Sequence, residues 1–274
     1  MSHHADDEHG HGDQPHAAAH ASGDSAGQPW AGRSFQPSPF AGDDGSADPA
    51  LLAALTAFRA GEGDQVDVIE AYRMARLLIP LVAEKGDEGV GPTGLTVDKT
   101  QELSIVTVAA PDGRRVLPVF TSVQTMTAWD ATARPVPADG VRTALAAADD
   151  DTDLIVIDPA SATEFIVRRP AVWAIGQGIA WEPSFLSPEV VAGLTDSVAS
   201  ELAVIDVAVA PGDPEARMRG PELVVVLTLM AGLDKSELDA VLARLAKRWA
   251  ADERIAVLVD SLTVKLRRGQ PEFR

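Results

Sequence analysis

Hydrophobic and polar positions change period twice within residues 103–129, LSIVTVAAPDGRRVLPVFTSVQTMTAW. Residues 103–108 and 116–120 are short runs rich in β-branched side chains, and each predicts a strand. Between them Pro111-Asp112-Gly113 is a turn signal: Pro fixes φ, Asp bonds its own backbone and Gly tolerates positive φ. After Phe120 the period lengthens. Val123, Met126 and Trp129 take helical spacing, with Thr121 and Ser122 both available as caps.

Upstream, Asp48-Pro49 opens a predicted helix carrying Leu51, Leu52, Leu55 and Phe58, and Gly61 and Gly63 end it. A second helix is predicted over 66–75. Residues 77–82 are apolar on both faces and read as a strand, with Pro80 placing it at an edge or a bulge. Residues 84–102 read as a flexible loop. Within it Gly89-Val-Gly91-Pro-Thr-Gly94 spells G-x-G-x-x-G, but no helical stripe follows, which a dinucleotide site requires.

Downstream, 137–148 reads as a helix with Val141, Leu145 and Ala148 on one face. Residues 154–157 and 164–168 predict a strand pair around Asp158-Pro159, and Pro170 starts a short helix with Val172, Trp173 and Ile175. From Trp181 a second unit begins. Ser187-Pro188-Glu189 starts a helix with Val190, Leu194, Val198 and Leu202. A strand follows at 204–210, then a loop with Arg217 and Arg219. The very apolar strand 223–230 is predicted to be central. Asp234-x-x-Glu237 opens a helix with Leu238, Val241, Leu242, Leu245 and Trp249, and 255–259 and 262–266 supply closing strands. The expected fold class is α+β: two small mixed domains, 47–180 and 181–274, each a sheet with packed helices. Residues 1–46 are rich in His, Asp, Gly and Ala and have Arg33 as their only Lys or Arg. They lack a periodic apolar face and are expected to be disordered.

Composition narrows the chemistry. The formal net charge of −18 argues against nucleic acid or anionic membrane as partners. Without cysteine, disulfides, thiolate catalysis and cysteine-ligated metals are excluded. No signal peptide and no apolar run near the ~20 residues of a membrane span is visible, so a cytoplasmic location is expected. All the histidines lie in the tail. His3, His4, His9 and His11 can bind a metal weakly there, although the plainer reading is a solvated chain start. Asp149, Asp151 and Asp153 begin a calcium-loop spacing, but Leu154 and Ala160 occupy the positions that need Gly and Glu.

With no His beyond residue 20, a Ser-His-Asp triad or HExxH site is unavailable to the remainder of the chain. Remaining catalytic options rest on carboxylates, Ser, Thr, Lys or Tyr72. Thr121 and Ser122, at a helix start, can serve as an anion site or as plain caps, with Arg114 and Arg115 the nearest cations by sequence.

Residues 50–178 resemble the SseB family, named for enhanced serine sensitivity. The resemblance rests on the early amphipathic helix, Leu78-Ile79-Pro80-Leu81, Leu117-Pro118-Val119-Phe120-Thr121-Ser122 running into a helix, and Leu154-Ile155-Val156-Ile157 with Asp158-Pro159. Where the family commonly shows Asn-Pro, this chain has Asp158-Pro159. The segment from Trp181 is similar to the family's C-terminal domain by element order only. The resemblance implies no enzymatic activity, no cofactor and no catalytic residue. The expectation is therefore a non-catalytic binding or regulatory protein that meets a protein partner or itself. The alternative is a small-molecule or metal-handling protein, or an enzyme using carboxylate and hydroxyl groups.

Overall fold

The computed structural model describes residues 40–83, 89–90, 96–97, 103–149, 152 and 154–269. Met1–Gly42 and Asp43–Arg274 are separate units. The histidines lie outside the described residues, as do Asp151 and Asp153. Of the 1–46 expected to be disordered, 40–46 are described, and there Asp43 pairs with Arg76 at 2.9 Å and the Gly45 carbonyl accepts from the Val123 N–H at 2.9 Å. The fold is α+β.

Helix α1 (Pro49–Ala60) is capped by the Asp48 carboxylate and closed by Gly61 in the left-handed region, φ 73°. Helix α2 (Gln65–Met74) starts with a reciprocal Asp64–Asp67 capping box. Strand β1 (Arg76–Ala83) follows. In the predicted loop, β2 (Gly89–Val90) and β3 (Thr96–Val97) pair as a small antiparallel ladder, so part of that loop is strand.

The single strand expected over 103–108 is two. Strand β4 (Leu103–Ile105) pairs with β1, whereas β5 (Val108–Ala109) pairs with β6 (Arg115–Val119). Helix α3 (Val123–Trp129) comes next. Strand β7 (Arg134–Asp139) then occupies residues expected to begin a helix, and α4 starts only at Gly140 (Gly140–Asp149). A Cβ at Gly140 would collide with the Tyr72 carbonyl, which is why glycine stands at this strand-to-helix corner. The face of α4 also differs from the reading. Thr143, Ala144 and Ala147 are buried and Leu145 is exposed, because small side chains allow close approach to α2 and to α5 (Arg169–Gln177).

Strand β1 is not at an edge. Pro80 opposes Pro135 of β7, and on its other side β1 pairs with β4 from Leu81 onward. Leu78 exchanges both backbone hydrogen bonds with Phe120 at 2.9 Å. Residues two apart point to the same side, so Pro80 lies where the ladder changes partner from Phe120 to β4, a position that tolerates its missing N–H. By the same parity the prolines of β7 face the open edge of the sheet order β4-β1-β7.

Strand β6 runs parallel to β8 (Ile155–Ile157), which pairs antiparallel with β9 (Phe165–Val167). Leu51, Tyr72, Leu77, Val119, Ile157 and Phe165 lie in the first core, where Phe58 meets Phe165 edge to face at 5.1 Å. The pleat sends Leu78 to the other face of β1, where it joins Phe120, Met126 and Trp129.

The second half runs α6 (Pro188–Val198), β10 (Val204–Pro211), β11 (Leu223–Leu229), α7 (Lys235–Ala251), α8 (Glu253–Leu258) and β12 (Leu262–Arg268). Strand β11 is central, antiparallel to β10 and parallel to β12. Leu223, Val225 and Leu227 pack against Val190, Leu194, Val241, Leu245 and Trp249, so the helices cover one face. The expected strand at 255–259 is the helix α8, capped by Asp252, with Ile255 in the core and Val257 exposed. Leu202, expected on the α6 face, is exposed beyond the helix end. Among the described residues, no helix is long and apolar enough to cross a membrane.

Candidate functional site

The β5–β6 turn points at the second half of the chain. Gly113 takes φ +86°, and its N–H donates to the Ala110 carbonyl at 2.9 Å. Asp112 accepts from the Arg114 N–H at 3.1 Å and from its Nε at 2.8 Å, which aims the guanidinium outward from the turn. Arg114 then meets both oxygens of Asp260, at 2.7 and 2.9 Å.

Arg168 approaches Asp260 from β9. It donates to Asp260 Oδ2 at 3.0 Å, Asp213 Oδ2 at 2.7 Å, the Gly220 carbonyl at 2.9 Å and Ser261 Oγ at 3.3 Å. The Asp260 side chain is 0 % exposed and that of Arg168 is 8 %. Burial alone would raise the Asp260 carboxyl. The hydrogen bonds and charge of Arg114, then Arg168, outweigh it and hold the group below the usual carboxylate range. Beside it Glu222 accepts from the Asp260 N–H at 2.6 Å, and burial pushes its carboxyl upward. The result is a charged seam linking the β5–β6 hairpin, the end of β9, the 211–222 loop and the start of β12.

The sequence candidates do not converge on one place. Arg114 belongs to this seam. The Arg115 guanidinium turns to Thr107 Oγ1, at 3.0 and 3.1 Å. Thr121 and Ser122 lie beyond the far end of β6, roughly 23 Å from Arg114 at 3.3 Å per residue. Ser122 is a plain cap there: its hydroxyl accepts from the Thr125 N–H at 3.1 Å, in a box that Thr125 reciprocates, on a seven-residue helix. Thr121 is not a cap. Its N–H and hydroxyl donate to the two oxygens of Asp158, at 2.8 and 2.7 Å, and Thr163 adds a third donor at 2.8 Å. Asp158 is buried at φ +45° and is followed by Ala160 at φ +60°, so Asp158-Pro159 is more than a turn start. The Thr121 hydroxyl is thus engaged by a carboxylate, and the nearby Arg76 guanidinium is held by the Thr121 carbonyl at 3.0 Å and by Asp43 at 2.9 Å. Tyr72 is likewise internal: its hydroxyl bonds Thr143 Oγ1 at 2.5 Å, and burial raises its pKa.

Asp158, Arg168, Asp213, Glu222 and Asp260 were not singled out as site residues by sequence. One local signal existed. Arg168 stands at the N-cap of α5, a position favouring Ser, Thr, Asp or Asn, and makes no capping bond. Among the described residues, no group of three or more His, Cys, Asp or Glu is placed to hold a metal.

Between the hairpin and the 211–222 loop lies a cavity of about 160 Å³, lined by Val108, Ala110, Val116, Val156, Ile166 and Met218, with Glu164 and Arg217 also in its wall, 3.9 Å apart. The loop is fixed over β9 by a backbone bond from the Ile166 N–H to the Ala216 carbonyl at 2.8 Å.

No curated protein and no solved structure matches the chain. The family model described as SseB protein N-terminal domain matches residues 51–174. That span runs from the first turn of α1 into α5 and carries the β5–β6 hairpin, Asp158 and Arg168. This stretch of the chain is similar to the SseB N-terminal domain family.

Proposed function

We propose that this protein is a non-catalytic binding or regulatory protein, working without a cofactor in the cytoplasm, and that a partner protein inserts an apolar side chain beside the β5–β6 hairpin. One contrast carries the reading. The polar groups around the hairpin are engaged with one another, whereas the cavity beside them presents Val108, Val156, Ile166 and Met218. A small apolar pocket with one carboxylate and one guanidinium in its wall suits a side-chain anchor. The net charge of −18 favours protein over nucleic acid or anionic lipid as the partner.

Methyl-labelled protein titrated with indole tests this. Saturable shifts confined to the Val108, Val156, Ile166 and Met218 methyls are expected, and Val156→Trp should abolish them by filling the cavity. Absence of such shifts sinks the proposal. A second reading has one observation behind it: Glu222 and Asp260 are neighbouring carboxyls pushed in opposite directions, as acid and base partners are. Turnover of a component of a metabolite extract, abolished by Glu222→Gln, would replace the binding reading with that one.

A further inference from the structure

Strand β12 is the outer strand of the sheet order β10-β11-β12. The Leu223 N–H donates to the Ser261 carbonyl and the Gly269 N–H to the Leu229 carbonyl. Backbone groups of odd-numbered residues in 261–269 therefore face β11. Those of Leu262, Val264, Leu266 and Arg268 face outward, and among the described residues no backbone group pairs with them. An exposed edge of this length is a template for another strand.

The strand's side chains restrict what can pair. Lys265, Arg267 and Arg268 lie on it with no acidic residue, in a chain whose net charge is −18. Among the described residues none of these cations has an ion-pair partner, whereas Arg244, Arg248 and Arg254 in the same half are paired. Lys265 opposes Val226 and Arg267 opposes Thr228, on the sheet face away from the helices. Leu266 and Arg268 project to the helix side. There a groove of about 580 Å³ runs past Met230, Leu233, Leu238 and Leu266. Leu266 is 44 % exposed and Met230 52 %.

We infer that the β12 edge is a docking site for an extended acidic segment of a partner protein, which adds to the sheet as a fourth strand. Its backbone pairs with Leu262, Val264, Leu266 and Arg268. Side chains of an added strand alternate, so apolar ones enter the groove beside Leu266 while acidic ones on the other face meet Lys265 and Arg267. The same cations repel the β12 edge of a second copy, which disfavours an edge-to-edge dimer through β12. The surface is distinct from the hairpin cavity, and Val156→Trp leaves it intact.

The test uses the full chain and a short fluorescent peptide of alternating Val and Glu. Saturable polarisation is expected, with amide-exchange protection at Leu262, Val264, Leu266 and Arg268. Methylating alternate peptide nitrogens, or the double change Lys265→Gln with Arg267→Gln, should each weaken binding at least about tenfold. Both substituted side chains have no ion-pair partner among the described residues, and far-ultraviolet circular dichroism checks that the variant folds. A peptide alternating Val and Lys should not bind. No saturation, equal binding of the methylated peptide, or equal binding of the Lys peptide each overturns the inference.

Discussion

Thr121 meets Asp158 twice, through its backbone N–H at 2.8 Å and its hydroxyl at 2.7 Å, and both groups are buried. The pair joins the end of β6 to the turn after β8 and satisfies most of a carboxylate that makes no ion pair among the described residues. Thr121→Val keeps the shape and removes one donor to a charged acceptor. It is predicted to cost about 1.5–3 kcal/mol. Ser122→Ala, one residue on, removes only a cap and should cost about 0.5–2 kcal/mol. Urea melts of the two variants separate these roles, and an equal or smaller loss for Thr121→Val contradicts the assignment.

Phe120 is fully buried between Leu78, Met126 and Trp129, with its ring 5.2 Å from that of Trp129. Phe120→Ala should lose about 3–5 kcal/mol, from transfer and cavity contributions together. Phe120→Leu, which retains most of the volume, should lose much less. If chemical denaturation shows Phe120→Ala to be near neutral, this small cluster is not what fixes α3 to β1.

Asp260 receives guanidinium groups from two different parts of the fold. Asp260→Asn should destabilise by about 1.5–3 kcal/mol, because the buried Arg168 loses one of its two carboxylate partners and keeps only Asp213. Arg114, whose side chain is 37 % exposed, contributes less, and Arg114→Gln should cost on the order of 1 kcal/mol. The Asp260 carboxyl is depressed in the folded state. Its stabilisation is therefore complete above the unfolded value of about 3.9 and is lost as pH falls through the folded value. Thermal melts across the acid range should show the wild type losing its advantage over Asp260→Asn there. An advantage that persists unchanged into strong acid argues against the pairing.

Glu222 has the opposite sign. Its folded carboxyl is raised, so folding favours the protonated form, and the charged form becomes a cost as pH rises through the folded value. Glu222→Gln keeps an acceptor for the Asp260 N–H. It should be more stable than wild type at pH 7, with the difference shrinking as acidification neutralises the wild-type side chain. Calorimetry at several pH values checks the sign, and a variant less stable than wild type at pH 7 would refute it.

The helices α1, α2, α3, α6 and α7 were legible because caps and apolar spacing agree within one turn. Competing signals explain the misses. Residues 255–259 are rich in β-branched side chains, yet Asp252 caps a helix there and Ile255 fills the second core. Pro137 reads as the start of a helix, yet at a sheet edge the missing N–H groups of Pro135 and Pro137 face outward and β7 is undisturbed. Of the seam, only Arg114 and the unusual N-cap Arg168 left any trace in the sequence. Arg168 and Asp260 are 92 residues apart, and an ion pair leaves no periodic trace in either segment.

Strands β11 and β12 are parallel, so α7 and α8 must be laid down between them before β12 can pair, and Asp260 sits immediately before that last strand. Arg114 meets Asp260 across 146 residues. Loop closure over such separations comes after local contacts have formed, and its entropic cost is recovered only when the pair is made. Assembly order follows from this. Hairpin β5–β6 and the first core are expected to condense before the Asp260 contacts close. Contacts made this late act mainly on unfolding, so Asp260→Asn is expected to speed unfolding in stopped-flow experiments and to leave the refolding rate nearly unchanged.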